Sequence, residues 1–273
     1  MASQQQIAVP AVQLIGDIDH PDFRDAVDVL RADARLVTTV NEHPELIVVA
    51  QSRPGSIGGQ CLETLRRSSP LAGIVALAGT WCEGETRTGR PWPGVQRLYW
   101  YEFSVWWQRQ LALRAAGRCP DWSRPDDPRY RTEFSNPPRS EPGRPRPRRG
   151  PILLHTSHRE TAHALADTLR RIGHATAWQQ TGRTTPTIRG AIAGIWEGGQ
   201  LSDREADDLS QFCRRLSAEA APIVALLDFP RRDRVERAIE LGAAAVLGKP
   251  WLNADLVATL QAVVESKKHS FAA

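Results

Sequence analysis

Pro222-Ile223-Val224-Ala225-Leu226-Leu227 is an unbroken apolar run, too short for a buried helix and of the kind found where both faces of a parallel sheet are covered. The pattern around it alternates. Downstream come a helical stretch from Arg232 to Leu241, a short strand from Ala244 to Leu247, and a last helix from Asn253 to Val264 with Asn253 as its cap. Upstream, Ser202 to Leu216 has helical spacing and opens with a capping box, Ser202 followed three residues later by Glu205. Ile188 to Trp196 contains a strand, as does Ala175 to Trp178. Ile152-Leu153-Leu154 is a further strand, and after it Ala162, Leu165, Ala166, Leu169 and Ile172 recur at helical period up to Gly173. With one weak helix in the 180s, strand and helix alternate throughout, which demands a doubly wound sheet with right-handed crossovers.

The first half repeats this plan less regularly. Strands are expected at Val12 to Ile15, Leu36 to Val40, Glu45 to Ala50, Ile74 to Ala78 and Leu98 to Tyr101, and helices at Asp22 to Leu30, Ile57 to Arg67 and Ser104 to Ala116. Ile-Val-Ala-Leu occurs at 74–77 and again at 223–226, each time as a fourth strand, which suggests an internal duplication.

Between the halves, residues 118–150 hold eight prolines and nine arginines against five acidic residues. That surplus of four equals the net charge of +4 of the whole 273-residue chain, so the flanking halves are electrically balanced. Such a segment cannot build a core and is expected to be an exposed linker. The resulting division is 1–117, a linker over 118–150, and 151–273. The cysteines Cys61, Cys82, Cys119 and Cys213 show no paired spacing, so neither a zinc site nor a disulfide framework is signalled. No basic leader precedes an apolar core, and no apolar run reaches membrane-spanning length. A cytoplasmic protein with no membrane partner is expected.

Gly242-Ala-Ala-Ala-Val-Leu-Gly-Lys249-Pro250, with Asp255 opening the next helix, resembles the end of the receiver domain of response regulators. Glu45-Leu-Ile-Val-Val-Ala-Gln-Ser-Arg-Pro54 resembles that family's third strand and the proline four residues beyond its phosphorylated aspartate. The resemblance implies two flavodoxin-like, receiver-like α/β domains with five-stranded parallel sheets. It implies signalling through a protein partner: a histidine kinase, another regulator or a second copy of the chain.

Receiver chemistry needs an acidic pair after strand one to hold a divalent cation, an acceptor aspartate after strand three, a Thr or Ser after strand four, and a lysine. In the second half those places fall at His155 and Thr156, at Trp196 or Glu197, at Leu227, and at Lys249. Only the lysine survives. In the first half the acceptor falls at Ala50 and the Thr/Ser place at Ala78, while the lysine place falls near Trp100 or Tyr101. The expectation is a tandem pseudo-receiver, not an enzyme, with no metal and no cofactor. The spacing of 52 residues from Glu197 to Lys249 favours Glu197 at the acceptor place, where it could pair with the lysine. Strand apolarity favours Trp196.

Other groupings carry less. Asp17 and Asp19 after the first strand are expected to be hydrated, and His155, His158 and His163 match no metal signature. Trp81, Trp92, Trp100, Trp106 and Trp107 crowd the end of the first half. Adjacent residues on a helix diverge by about 100°, so Trp106 and Trp107 are not both expected on one core stripe, and Trp100, Trp106 and Trp107 become candidates for a partner surface. Phosphate-binding glycine motifs are absent. Nucleic-acid binding is not expected, although the Arg-rich linker offers phosphate contacts in the alternative of a transcription-related regulator.

Overall fold

The alternating pattern folds as it reads. In the computed structural model, which describes residues 9–38, 42–83, 85, 92, 94–123, 150–181, 188–251 and 253–270, the chain separates into two units at residues 128 and 129. The first unit contains β1 (Ala11–Gly16), α1 (Arg24–Asp33), β2 (Arg35–Val37), β3 (Leu46–Gln51), α2 (Gly59–Ser68), β4 (Gly73–Ala78), β5 (Gln96–Tyr99) and α3 (Phe103–Ala115). The second contains β6 (Ile152–Thr156), α4 (Arg159–Arg171), β7 (Thr176–Gln180), β8 (Ala193–Glu197), α5 (Asp203–Ser217), β9 (Ile223–Asp228), α6 (Arg232–Glu240), β10 (Ala245–Lys249) and α7 (Asn253–Ser270). The weak helix expected in the 180s falls on 182–187, outside the described residues.

Each sheet is five-stranded, with every pairing parallel. The orders are β2-β1-β3-β4-β5 and β7-β6-β8-β9-β10. Both are the 2-1-3-4-5 flavodoxin-like order, whose switch point lies at the carboxyl ends of the first and third strands. The registers also correspond. Val12 pairs with Leu46 and Ile47 with Ile74; Ile152 pairs with Ala193 and Gly194 with Ile223. The repeated Ile-Val-Ala-Leu therefore occupies one place in both sheets.

Period-two alternation sorts the second sheet into two cores. Ile152, Leu154, Ala193, Ile195, Val224, Leu226, Ala245 and Leu247 face Leu165 and Leu169 of α4 and Leu256 and Leu260 of α7. The intervening residues lie on the opposite face, the one covered by α5. There Gly194 permits close approach, since a Cβ would press on Leu216 at 2.6 Å and Phe212 at 2.9 Å. The Ser202 and Glu205 capping box that starts α5 forms with both reciprocal bonds; such a cap contributes about 1 kcal/mol.

The first unit differs from expectation at its end. Beyond residue 117 the chain does not leave as linker: Asp121–Ser123 forms a short 3-10 turn with Trp122 buried, and the Trp122 carbonyl lies where a side chain on Gly73 would stand. Asp121 is tied down by Gln110, whose amide donates to its carboxylate at 3.0 Å and accepts from its backbone N–H at 2.7 Å, and by Arg109 at 3.1 Å. Residues 124–149 of the expected linker lie outside the described residues.

Candidate functional site

The sheet registers place each candidate. At the carboxyl edge of the second sheet, Thr156, Glu197 and Lys249 come together, and Asp228 joins them. Glu197 is buried in its side chain; Lys249 Nζ lies 3.3 Å from Glu197 Oε1 and 2.9 Å from Asp228 Oδ1. Thr156 Oγ1 donates to Glu197 Oε2 and accepts from the His158 backbone N–H at 3.1 Å. His158 Nδ1 stands 3.5 Å from the same carboxylate oxygen. One cation thus faces two carboxylates, while the hydroxyl satisfies the second oxygen of Glu197, as a buried charge requires.

Glu205 extends the network. Burial works to raise its pKa, but hydrogen bonds from the Gly199 and Ser202 backbones and the Ser202 hydroxyl, with the Lys249 charge, hold it below the usual range.

His155 and Trp196 do not enter this site, contrary to the reading that grouped them with it. They are register partners on β6 and β8, so both point to the face covered by α5. There Asp208 Oδ2 accepts from Trp196 Nε1 at 2.8 Å and lies 2.7 Å from His155 Nε2, while His155 stacks on Phe212 with centroids 5.0 Å apart. Gly198 is needed beneath Trp196, because a Cβ there would meet the indole ring. Burial works to raise the pKa of Asp208, yet the two hydrogen bonds and the charges of His155 and Arg215 lower it. Leu227 is buried opposite Gly248 and brings no hydroxyl. His163 is exposed on α4, so the three histidines do not converge. Among the described residues no group of three potential ligands is placed to hold a metal ion.

The corresponding edge of the first sheet has no charged acceptor. Ala50 pairs with Leu77, as Glu197 pairs with Leu226, so Ala50 and Glu197 hold one place; both Ala50 and Ala78 are buried. Trp100, whose backbone N–H donates to the Ala78 carbonyl at 2.9 Å, follows β5 where Lys249 ends β10. Two carboxylates instead pin the loops together. Asp17 accepts from the Ser52 hydroxyl and from its backbone N–H at 3.1 Å, which hold its carboxyl below the usual range. Asp22 is buried and accepts from the Thr80 N–H at 2.7 Å. Asp19 is exposed.

The proposed partner surface is also corrected. Trp100, Trp106 and Trp107 are all buried. Adjacent tryptophans on α3 can both be covered because Asp121–Ser123 folds back onto the helix: Trp122 stacks on Trp107 with centroids 5.5 Å apart and lies 5.8 Å from Trp106. Trp81, on the 3-10 turn Thr80–Cys82, is the tryptophan that stands out, 62% exposed.

Asp228 and Asp208 were missed by sequence reading. Asp208 carried a usable signal: it lies four residues before Phe212 and eight before Leu216, on the buried stripe of α5. Asp228 is the last residue of β9 and the register partner of Lys249, a pairing that requires the strand order.

No protein-family profile matches the chain, and no curated protein does. Among solved structures it is similar to a response regulator receiver protein from Pseudoalteromonas atlantica, at 18% identity over 43% of this chain and 98% of that one, TM-score 0.36. It is similar to the signal receiver domain of a signal transduction histidine kinase from Syntrophus aciditrophicus, at 19% identity over 44% and 92%, TM-score 0.35. A response regulator receiver domain protein from Methanospirillum hungatei matches at 12% identity over 45% and 98%, TM-score 0.39. The class of fold rests on strand order and register: two receiver-like α/β units in one chain.

Proposed function

We propose that the chain is a signalling protein whose two receiver-like units work by binding other proteins and accept no phosphoryl group. The observation that carries this reading is the contact between Glu197 and Lys249. A carboxylate one methylene longer than aspartate stands at the switch point of the second sheet, already paired with the cation that would otherwise meet a phosphoryl oxygen. Thr156 occupies a place where receiver chemistry uses a metal-binding acid, and a neutral hydroxyl that donates to Glu197 supplies no negative charge for a divalent cation. The second unit is therefore held in one charged arrangement without an input of phosphate. The first unit has alanine at both the acceptor and hydroxyl places.

A chain with this site conveys information through its surface: a kinase, another regulator or a second copy binds it, and it works in the cytoplasm. Among the described residues no helix is long and apolar enough to cross a membrane. Amide spectra recorded with and without magnesium and beryllofluoride, an acyl-phosphate mimic, test the reading. The resonances of Glu197, Gly198 and Gly199 are expected to stay in place. Saturable shifts at those amides would sink it.

A further inference from the structure

We infer that the amino-terminal edge of the second sheet is a phosphate-binding surface for nucleic acid, read without regard to base sequence. All helices of a parallel doubly wound unit end at this edge, and here two of the four described ones, α4 and α5, end in an arginine pair. Arg170 and Arg171 close α4, and Arg214 and Arg215 close α5. The two ends lie beside neighbouring strands: Ile152 at the start of β6 donates to Ala175 just past α4, and Gly194 of β8 donates to Pro222 just past α5. Arg189 belongs to the same edge, because Gly190 packs directly on Gly150, where the chain enters β6.

These five arginines are exposed. Arg170 pairs with Asp167 at 2.5 Å, and Arg215 lies over Phe212 at 5.8 Å. Arg171, Arg189 and Arg214 make no ion pair with any described residue. The acidic groups at the same edge are Asp167, Glu219, Glu240 and Glu265, and Asp167 is the one paired with Arg170.

Cations at helix ends are favourable to the helix dipole by themselves, which accounts for one basic residue per helix. It does not account for a pair on each of two helices, nor for Arg189, which lies on no helix. Guanidinium groups match phosphate oxygens with planar, bidentate geometry. The stretch of the edge that holds the arginines also lacks the apolar anchor that a protein interface needs: the one large exposed hydrophobic of the described second unit, Ile239, stands in the last turn of α6, at the far end of the edge beside β10. Charge without an apolar centre fits a phosphate backbone.

The test is fluorescence anisotropy of labelled duplexes of scrambled sequence against salt concentration, using the full chain. Binding is expected to weaken roughly 500-fold between 50 and 200 mM salt for about five phosphate contacts, and R171Q/R189Q/R214Q should reduce the slope of log K against log salt by about 2 to 3. R159Q/R231Q, at the opposite edge, should leave the slope unchanged, and matching circular dichroism melts show that the variants fold. No binding at low salt would overturn the inference. So would an unchanged slope in R171Q/R189Q/R214Q, including the case where R144Q/R146Q/R148Q/R149Q alone abolishes binding, and so would equally tight binding to poly-glutamate. None of these outcomes bears on whether the chain accepts phosphate.

Discussion

Replacing Trp107 by alanine is expected to destabilise the first unit by about 3 to 5 kcal/mol, the cost of removing a fully buried large aromatic that the surroundings cannot refill. Trp107 has no exposed surface; it stacks on Phe103 with ring planes 8° apart and on Trp122 with planes 18° apart. Its loss also removes the platform for Trp122, so the turn at Asp121–Ser123 loosens with it. Urea unfolding followed by tryptophan fluorescence reads the effect. Trp81→Ala, at the exposed position, should shift the same curve by under about 0.5 kcal/mol. Equal effects at the two positions would contradict the packing described for α3.

Asp208→Ala is the second large effect, expected at about 3 kcal/mol in the second unit, because it leaves the Trp196 N–H and the His155 ring N–H buried without an acceptor. Its acid dependence is distinctive. The folded-state pKa of Asp208 is depressed below 3.8, so the stability it contributes is fully present above the unfolded carboxylate value and is lost as pH falls through the folded one. The wild-type unit should therefore lose stability below about pH 4, and Asp208→Asn should lose less over that window. Thermal melts from pH 7 to pH 2.5 measure the difference. Parallel acid limbs for wild type and Asp208→Asn would show that the carboxylate is not held by these two donors.

The inner strands β3, β4, β6 and β9 were legible in the sequence because each is an apolar run that burial on two faces demands, whereas β2, β5 and β7 at the sheet edges are short and partly polar. Glu197 and Lys249 were legible through the Lys-Pro segment and the spacing of 52 residues between them. What was not legible is set by partners distant in sequence. The alternation of a strand says that Trp196 and Glu197 face opposite ways but not which way, and the choice is made by α5, where Asp208 and a glycine bed receive the indole. Trp106 and Trp107 looked incompatible with one stripe because a helix was assigned a single covered face. The second cover, Trp122, was hidden in a segment whose proline and charge content reads as linker. Asp228 closes the ion-pair network across β9 and β10, a neighbour relation that exists only once the strand order is known.

The claim that organises these observations is that neither unit accepts a phosphoryl group, and intact-mass analysis tests it most directly. The purified full chain is incubated with acetyl phosphate and magnesium beside a competent receiver. The mass of this chain should remain unchanged while the control gains one phosphate. A base-labile, acid-stable adduct on this chain would contradict the account and place an acceptor outside the Glu197 and Lys249 pair.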